Sequence, residues 1–293
     1  CQSSDAKSTV MIVNGFDRVS APISFQGDSI AGFYNNLDSG VGYIEDISFI
    51  GEQRNFDRRE SRTENDNYAL GSSYSDYESE VVAGNSFDYP ALHGKSVVEA
   101  GFSFCSASVK SVEQGGVKLE KYPITDFIFG KQRSCQIGRG ACDVDFEVFS
   151  EELQDKIRAY TEQGGAVFAS GCYVASDLWH GVEADGEDRG FARSVLHYSF
   201  GGDMATRRHV ARVVASPMKM SRQDVSFNRE PSGVCYGVES PGSVVPYGKD
   251  AHIAMRYLTN NQSAAVAYNG TKYRTFVMGF PFETIKNVDS QNE

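Results

Sequence analysis

The chain lacks any apolar run approaching the roughly 18 residues of a membrane-spanning helix, which argues against a protein embedded in a bilayer. It also lacks the basic stripes that grip a phosphate backbone. Its 28 Lys and Arg face 39 Asp and Glu, for a formal net charge of −11, so nucleic acid drops out as a partner. The six cysteines, at positions 1, 105, 135, 142, 172 and 235, contain no CxxC and show no Cys/His zinc spacing, so no metal is implied. None of the acidic clusters has EF-hand spacing, no cofactor motif appears, and there is neither an internal repeat nor a low-complexity linker.

What is present is the composition of a globular domain. Of 293 residues, 40% are hydrophobic and 23% charged, enough for a substantial core. The reading is a single α/β domain over 1–293, interrupted by a long irregular insertion at about 19–90. Cys1 and the polar stretch after it read as a processed or excised end, with a lipidated cysteine as the alternative. Cys135 and Cys142 bracket a short loop; a disulfide and two free thiols both remain open.

Thr9–Asn14 is nearly all apolar, as a strand buried on both faces reads. Leu92–Ala100 reads as a short helix closed by Gly101. Phe102–Val109 and Ile124–Phe129 follow as strands. Ser150 caps a helix whose Leu153, Ile157 and Tyr160 share one face, Gly164-Gly165 stops it, and Ala166–Ala169 follows as a buried strand. A further helix is expected over 188–199 with Phe191, Val195 and Leu196 inward. Ile253–Leu258, Ser263–Tyr268 and Tyr273–Phe280 read as successive strands, with Asn269-Gly270 as a tight hairpin turn. Strand, helix, strand in alternation predicts an α/β fold with a mainly parallel sheet flanked by helices and an antiparallel C-terminal extension.

In such sheets ligands bind beyond the carboxyl ends of the strands. That rule nominates Asp17 and Arg18 after the first strand, Lys131 and Gln132 after a middle strand, and Tyr173 beside Cys172 after the strand at 166–169. A thiol on a tight turn at a helix N-terminus is a candidate nucleophile; the plain alternative is a small buried residue in a packed turn. His93 and His180 are the candidate bases, provided that one of them meets Cys172. The tyrosines at 34, 43, 68, 74, 77 and 89 suit either stacking on sugar rings or ordinary packing. The acidic runs at 64–67, 143–147 and 183–188 read as solvated loops, with a calcium-stabilised loop as the alternative.

Two segments carry a family resemblance. Ala166–Leu178, AVFASGCYVASDL, resembles the nucleophile-elbow segment of the class I glutamine amidotransferase-like, or flavodoxin-like, fold, whose active members have Gly-x-Cys-x-Gly; here Ser170 and Val174 flank Cys172. Active members end in His-Pro-Glu, whereas Gly279-Phe280-Pro281-Phe282-Glu283 keeps Glu283 and has Pro281 where the base belongs. The resemblance thus implies the fold and argues against glutamine hydrolysis. Val13–Ser20, Ala83–Pro90, Gly130-Lys131-Gln132 and Gly279–Glu283 together resemble C-terminal domains of Bacteroidetes cell-envelope proteins that carry the label xanthan lyase. This implies a secreted, periplasmic or cell-surface module that has a glycan or cell-wall ligand and neighbouring modules in a longer chain. Three functions follow: a non-catalytic accessory module of a polysaccharide- or peptidoglycan-processing protein, a Cys172-dependent hydrolase with a relocated base, and a structural spacer.

Overall fold

The computed structural model describes residues 8–16, 24–26, 29, 31–33, 89–136, 144–145, 147–181, 183–214, 221–229, 235, 237–238 and 240–286. Asp17 and Arg18, nearly all of the 19–90 insertion and Cys142 lie outside them, as does the side chain of Cys135.

The strands are β1 (Thr9–Asn14), β2 (Ser24–Gln26), β3 (Ala31–Phe33), β4 (Ser103–Ser108), β5 (Ile124–Gly130), β6 (Cys135–Gln136), β7 (Val144–Asp145) and β8 (Ala166–Gly171). After them come β9 (Tyr198–Gly202), β10 (Val210–Val213), β11 (Asp224–Ser226), β12 (Ser243–Pro246), β13 (Ala251–Tyr257), β14 (Ser263–Asn269) and β15 (Arg274–Met278). The helices are α1 (Tyr89–Glu99), α2 (Val109–Glu113), α3 (Glu151–Glu162), α4 (Asp177–His180) and α5 (Gly186–Phe191). Nine strands form one sheet in the order β11-β10-β13-β14-β15-β8-β5-β1-β4.

The expected mainly parallel, helix-flanked sheet with an antiparallel appendage is corrected by these pairings. Within the large sheet the run from β4 through β1, β5 and β8 to β15 is parallel. The other half, from β15 through β14, β13 and β10 to β11, is antiparallel. With the small β9/β12, β2/β3 and β6/β7 ribbons added, antiparallel pairings outnumber parallel ones by seven to four. The antiparallel part is no edge extension, because β15 sits in the middle of the sheet and belongs to both halves. Helical cover is thin: α3, with 12 residues, is the longest α-helix described, and α2, α4 and α5 have 5, 4 and 6. No helix among the described residues is long and apolar enough to cross a membrane.

Local physics explains the elements that frame the strand ends. In β1, Val10, Met11, Ile12 and Val13 are all buried, so both faces are covered and the usual alternation is absent. In α3, Ser150 Oγ accepts a hydrogen bond from the Leu153 amide at 3.3 Å, and Glu151 and Glu152 lie in the first turn, where the helix dipole favours negative charge. Its inner face buries Leu153, Ile157 and Tyr160. The Tyr160 hydroxyl reaches the carbonyls of Tyr122 (2.9 Å) and Ala166 (3.2 Å), pinning the helix to the start of β8. Along β5 the side chains alternate. Phe129 packs against Phe149, which reaches Phe191, with ring centroids 4.6 and 5.5 Å apart; Asp126 projects to the opposite face, toward α1.

The expected helix over 188–199 is divided. Helix α5 ends at Phe191 and a π-turn spans Ala192–Leu196. It closes at His197, which has φ 60°. Phe191, Val195 and Leu196 are buried as the pattern requires. Strands β14 and β15 do form a hairpin, but the register pairs Asn269 with Arg274, so four residues make the turn instead of Asn269-Gly270 alone.

Candidate functional site

The parallel strands end together. The Gly15 amide donates to Ile128 O at 2.9 Å, and the Cys172 amide donates to Gly130 O at 2.8 Å. Gly130 has φ +50°, and a Cβ there would lie 2.6 Å from the Phe16 ring, so glycine is required for β5 to turn under β1. The turn is tight, with the Gln132 amide bonded to Phe129 O at 2.8 Å. It folds Lys131 and Gln132 inward, leaving them 0% and 2% exposed. Tyr173 is buried too, with the Arg133 guanidinium 5.4 Å above its ring.

Cys172 follows β8 directly and is 1% exposed. The next helix, α4, begins only at Asp177 and is four residues long, so the thiol is not at a helix N-terminus and gains no dipole support. The segment 240–242 packs over the strand end. The Gly242 amide donates to Gly279 O at 2.6 Å, and a Cβ on Gly242 would lie 2.9 Å from Cys172 O. The Tyr257 hydroxyl closes the layer by donating to Gly242 O at 2.7 Å. Its own ionisation is pushed well up, by burial first and then by proximity to Cys172.

The structure brings together two of the sequence-nominated residues, His93 and Glu283, and adds a third, Asp126, that the sequence did not suggest. His93 is 1% exposed on α1. Its Nδ1 lies 2.7 Å from Asp126 Oδ2 on β5, and its Nε2 lies 3.2 Å from Glu283 Oε2. Glu283 sits on a 3₁₀ turn, Phe282–Thr284, that follows Pro281. Pro281 thus occupies the position where the resemblance places a base, and the turn it starts delivers Glu283 to His93. The turn is held by Phe282 N donating to Ser170 Oγ at 3.3 Å and Thr284 Oγ1 donating to Pro281 O at 2.7 Å. The Phe282 ring stands edge-on to the imidazole, centroids 4.8 Å apart.

Burial alone depresses the pKa of a histidine. Here that effect is overcome by the charge and hydrogen bond of Asp126 and then by those of Glu283, and the His93 pKa rises to about 10. The imidazolium donates one N–H to each carboxylate, so at neutral pH neither ring nitrogen can accept a proton. His180, the other candidate base, is exposed on α4 with its ring edge-on to Phe200, centroids 4.9 Å apart.

The acidic run at 183–188 has a structural task. Asp185 Oδ1 accepts from the amides of Glu187 (2.7 Å) and Asp188 (3.2 Å), and Asp188 Oδ2 accepts from the Asp185 amide (3.0 Å), a capping box at the start of α5. Asp177 accepts from Ser134 N and Oγ, both at 2.7 Å, and from Val148 N at 2.9 Å. Burial nevertheless raises its pKa. Glu147, an exposed residue beside these carboxylates, is raised to about 7, by partial desolvation first and then by Asp177, Asp188, Glu183 and Glu152. Among the described residues no group of His, Cys, Asp and Glu is arranged to hold a metal ion.

No family model matches the chain, and no curated protein matches it. Solved structures show distant likeness. An exo-β-1,4-mannosidase from Opitutaceae bacterium strain TAV5 is 11% identical with TM-score 0.36, over 66% of this chain and 26% of that one. A cytoplasmic protein from Salmonella typhimurium LT2 is 7% identical with TM-score 0.46, over 93% and 88%. A β-galactosidase from Bacillus circulans sp. alkalophilus is 11% identical with TM-score 0.42, over 69% and 26%. The chain spans about a quarter of the length of the two glycosidases. At these scores none of the three carries an argument about fold or activity.

Proposed function

We propose that the chain is a non-catalytic accessory module of a secreted or cell-surface protein that processes polysaccharide or peptidoglycan, contributing glycan or cell-wall binding instead of bond cleavage. One observation carries the reading: the histidine that meets Glu283, His93, is held as a cation between two carboxylates, while Cys172 is buried, with its backbone carbonyl packed against Gly242. A cysteine nucleophile needs an accessible sulfur and a base able to take its proton. Neither condition is met at Cys172 by His93. Structural use of the elbow as a packed turn accounts for the same residues.

The test pairs binding with turnover. The protein is applied to an array of polysaccharides and muropeptides, and bound polymers are then incubated with it and searched for soluble products. Binding without product is expected, together with inertness of Cys172 toward a thiol-directed electrophile at neutral pH. Absence of affinity for every polymer refutes the reading; product release accompanied by selective labelling of Cys172 replaces it with the cysteine-hydrolase reading.

A further inference from the structure

Away from the strand ends, the surface around the π-turn gathers an exposed cation and several aromatic rings. Arg193 lies on this turn and is exposed. Its guanidinium carbon stands 5.6 Å from the centroid of the Trp179 ring and 5.5 Å from that of Tyr247. Its Nε donates to Ser199 Oγ at 3.3 Å. The Trp179 ring also neighbours those of Tyr198 and Phe200, centroids 6.3 and 6.4 Å away. Tyr247 is 48% exposed, next to Val245 at 41%, and its amide is tied to His197 O at 2.8 Å.

We propose that Arg193, Trp179 and Tyr247 form a subsite for a saccharide ring that bears a carboxylate. The inference rests on the glycan-binding reading and names the ligand chemistry and the place. Three features argue for it. First, among the described residues no carboxylate pairs with Arg193, although the chain carries a net charge of −11. The Nε bond to Ser199 occupies one donor and leaves both Nη groups to meet an incoming carboxylate in the two-pronged geometry that guanidinium favours. Second, the guanidinium is flanked by two rings and anchored at Nε, so much of the entropic cost of fixing a long side chain is met before a ligand arrives. Third, the exposed ring of Tyr247 places apolar surface beside that charge, the pairing that suits the C–H face of a pyranose next to its acid group. The backbone under the site is itself unusual. A π-turn ends in His197 at φ 60°, a left-handed conformation that a non-glycine residue adopts at a cost and that concentrates at binding sites.

Trp179 is the single tryptophan of the chain, so tryptophan emission, excited at a wavelength where tyrosine does not absorb, reports on this surface alone. Trigalacturonate is the probe, cellotriose the neutral control and citrate the non-sugar acid. Trigalacturonate should perturb the emission saturably, with affinity falling as salt rises, and the two controls should not. Arg193→Lys keeps the charge and loses the planar fork, and should weaken binding by about tenfold without altering the melting temperature. Tyr247→Ala, read by calorimetry, should weaken it as well. An unperturbed emission, an equal response to cellotriose or citrate, or unchanged affinity in R193K overturns the subsite. If R193K then binds the glycan array as the parent does, the accessory-module reading survives the loss of the subsite; if no glycan binds at all, both fall.

Discussion

Removing the charge at His93 should change how stability depends on pH, and by an amount the geometry sets. The folded-state pKa is raised above the ordinary value, so the imidazolium contributes stability that is fully present below about pH 6.5 and is lost as pH rises through about 10. At about 1.4 kcal/mol per pH unit, the interval corresponds to on the order of 5 kcal/mol. His93→Gln removes the titrating group and leaves two buried carboxylates facing a neutral amide, a loss of about 3–5 kcal/mol near neutral pH. Urea unfolding of both proteins from about pH 6 to about pH 9.5 measures this through the difference in ΔG of unfolding. The difference should be greatest at the acid end and shrink steadily toward pH 9.5. Proton NMR offers a direct check, since the His93 ring signals should stay in their protonated positions throughout the lower half of that range. A difference that is flat with pH, or a His93 signal that titrates near 6.5, would show that Asp126 and Glu283 do not hold the proton and would refute the reasoning.

Three further outcomes follow from the same structure. Gly279→Ala would put a Cβ 2.1 Å from the backbone oxygen of Gly242, which no rotamer change relieves. The expected cost is about 3 kcal/mol or more, read as a lowered urea midpoint; a near-neutral variant would show that the 240–242 segment does not seal the strand ends. Glu147 has its pKa raised to about 7, so its carboxyl weakens the fold progressively as pH rises toward and through 7. Glu147→Gln should therefore be more stable than the parent at about pH 8, the advantage vanishing near pH 5, as monitored by thermal melts across that range. Tyr257→Phe deletes the hydroxyl that donates to Gly242 O; about 1–2 kcal/mol of stability should be lost, and labelling of Cys172 by a thiol electrophile should accelerate as the covering segment loosens. Unchanged labelling would mean that some other contact keeps the thiol covered.

Elements whose signals are local were legible in the sequence. Strand β1, the Ser150-capped helix α3 and strand β8 each carry a cap, a stop or an unbroken apolar run within a dozen residues. The sheet's mixed character was not. Residues 263–267 of β14 are all buried, so this antiparallel strand shows the same continuous burial as a parallel one, and apolar runs cannot tell the two apart. Strands β10 and β11 have only four and three residues, too short for a periodic signal. At the site, His93 and Glu283 were each nominated singly, but their meeting spans 190 residues and no spacing rule reaches that far. Asp126 was missed although it left a trace. A single carboxylate inside the apolar run Ile124-Thr125-Asp126-Phe127-Ile128-Phe129 must be exposed or paired with a cation, and the buried cation turned out to be His93.

The position of β15 has a consequence for synthesis. Its five residues, Arg274–Met278, are the sole strand joining the parallel and antiparallel halves, and they emerge from the ribosome after every other strand described. Until then β8 and β14, the strands that will flank it, each present an open edge. Both are largely apolar, with the residues at 166–169 and 264–267 able to pair with any passing strand. A nascent chain whose two halves formed before β15 emerged would hold two apolar edges open until that strand filled the gap between them.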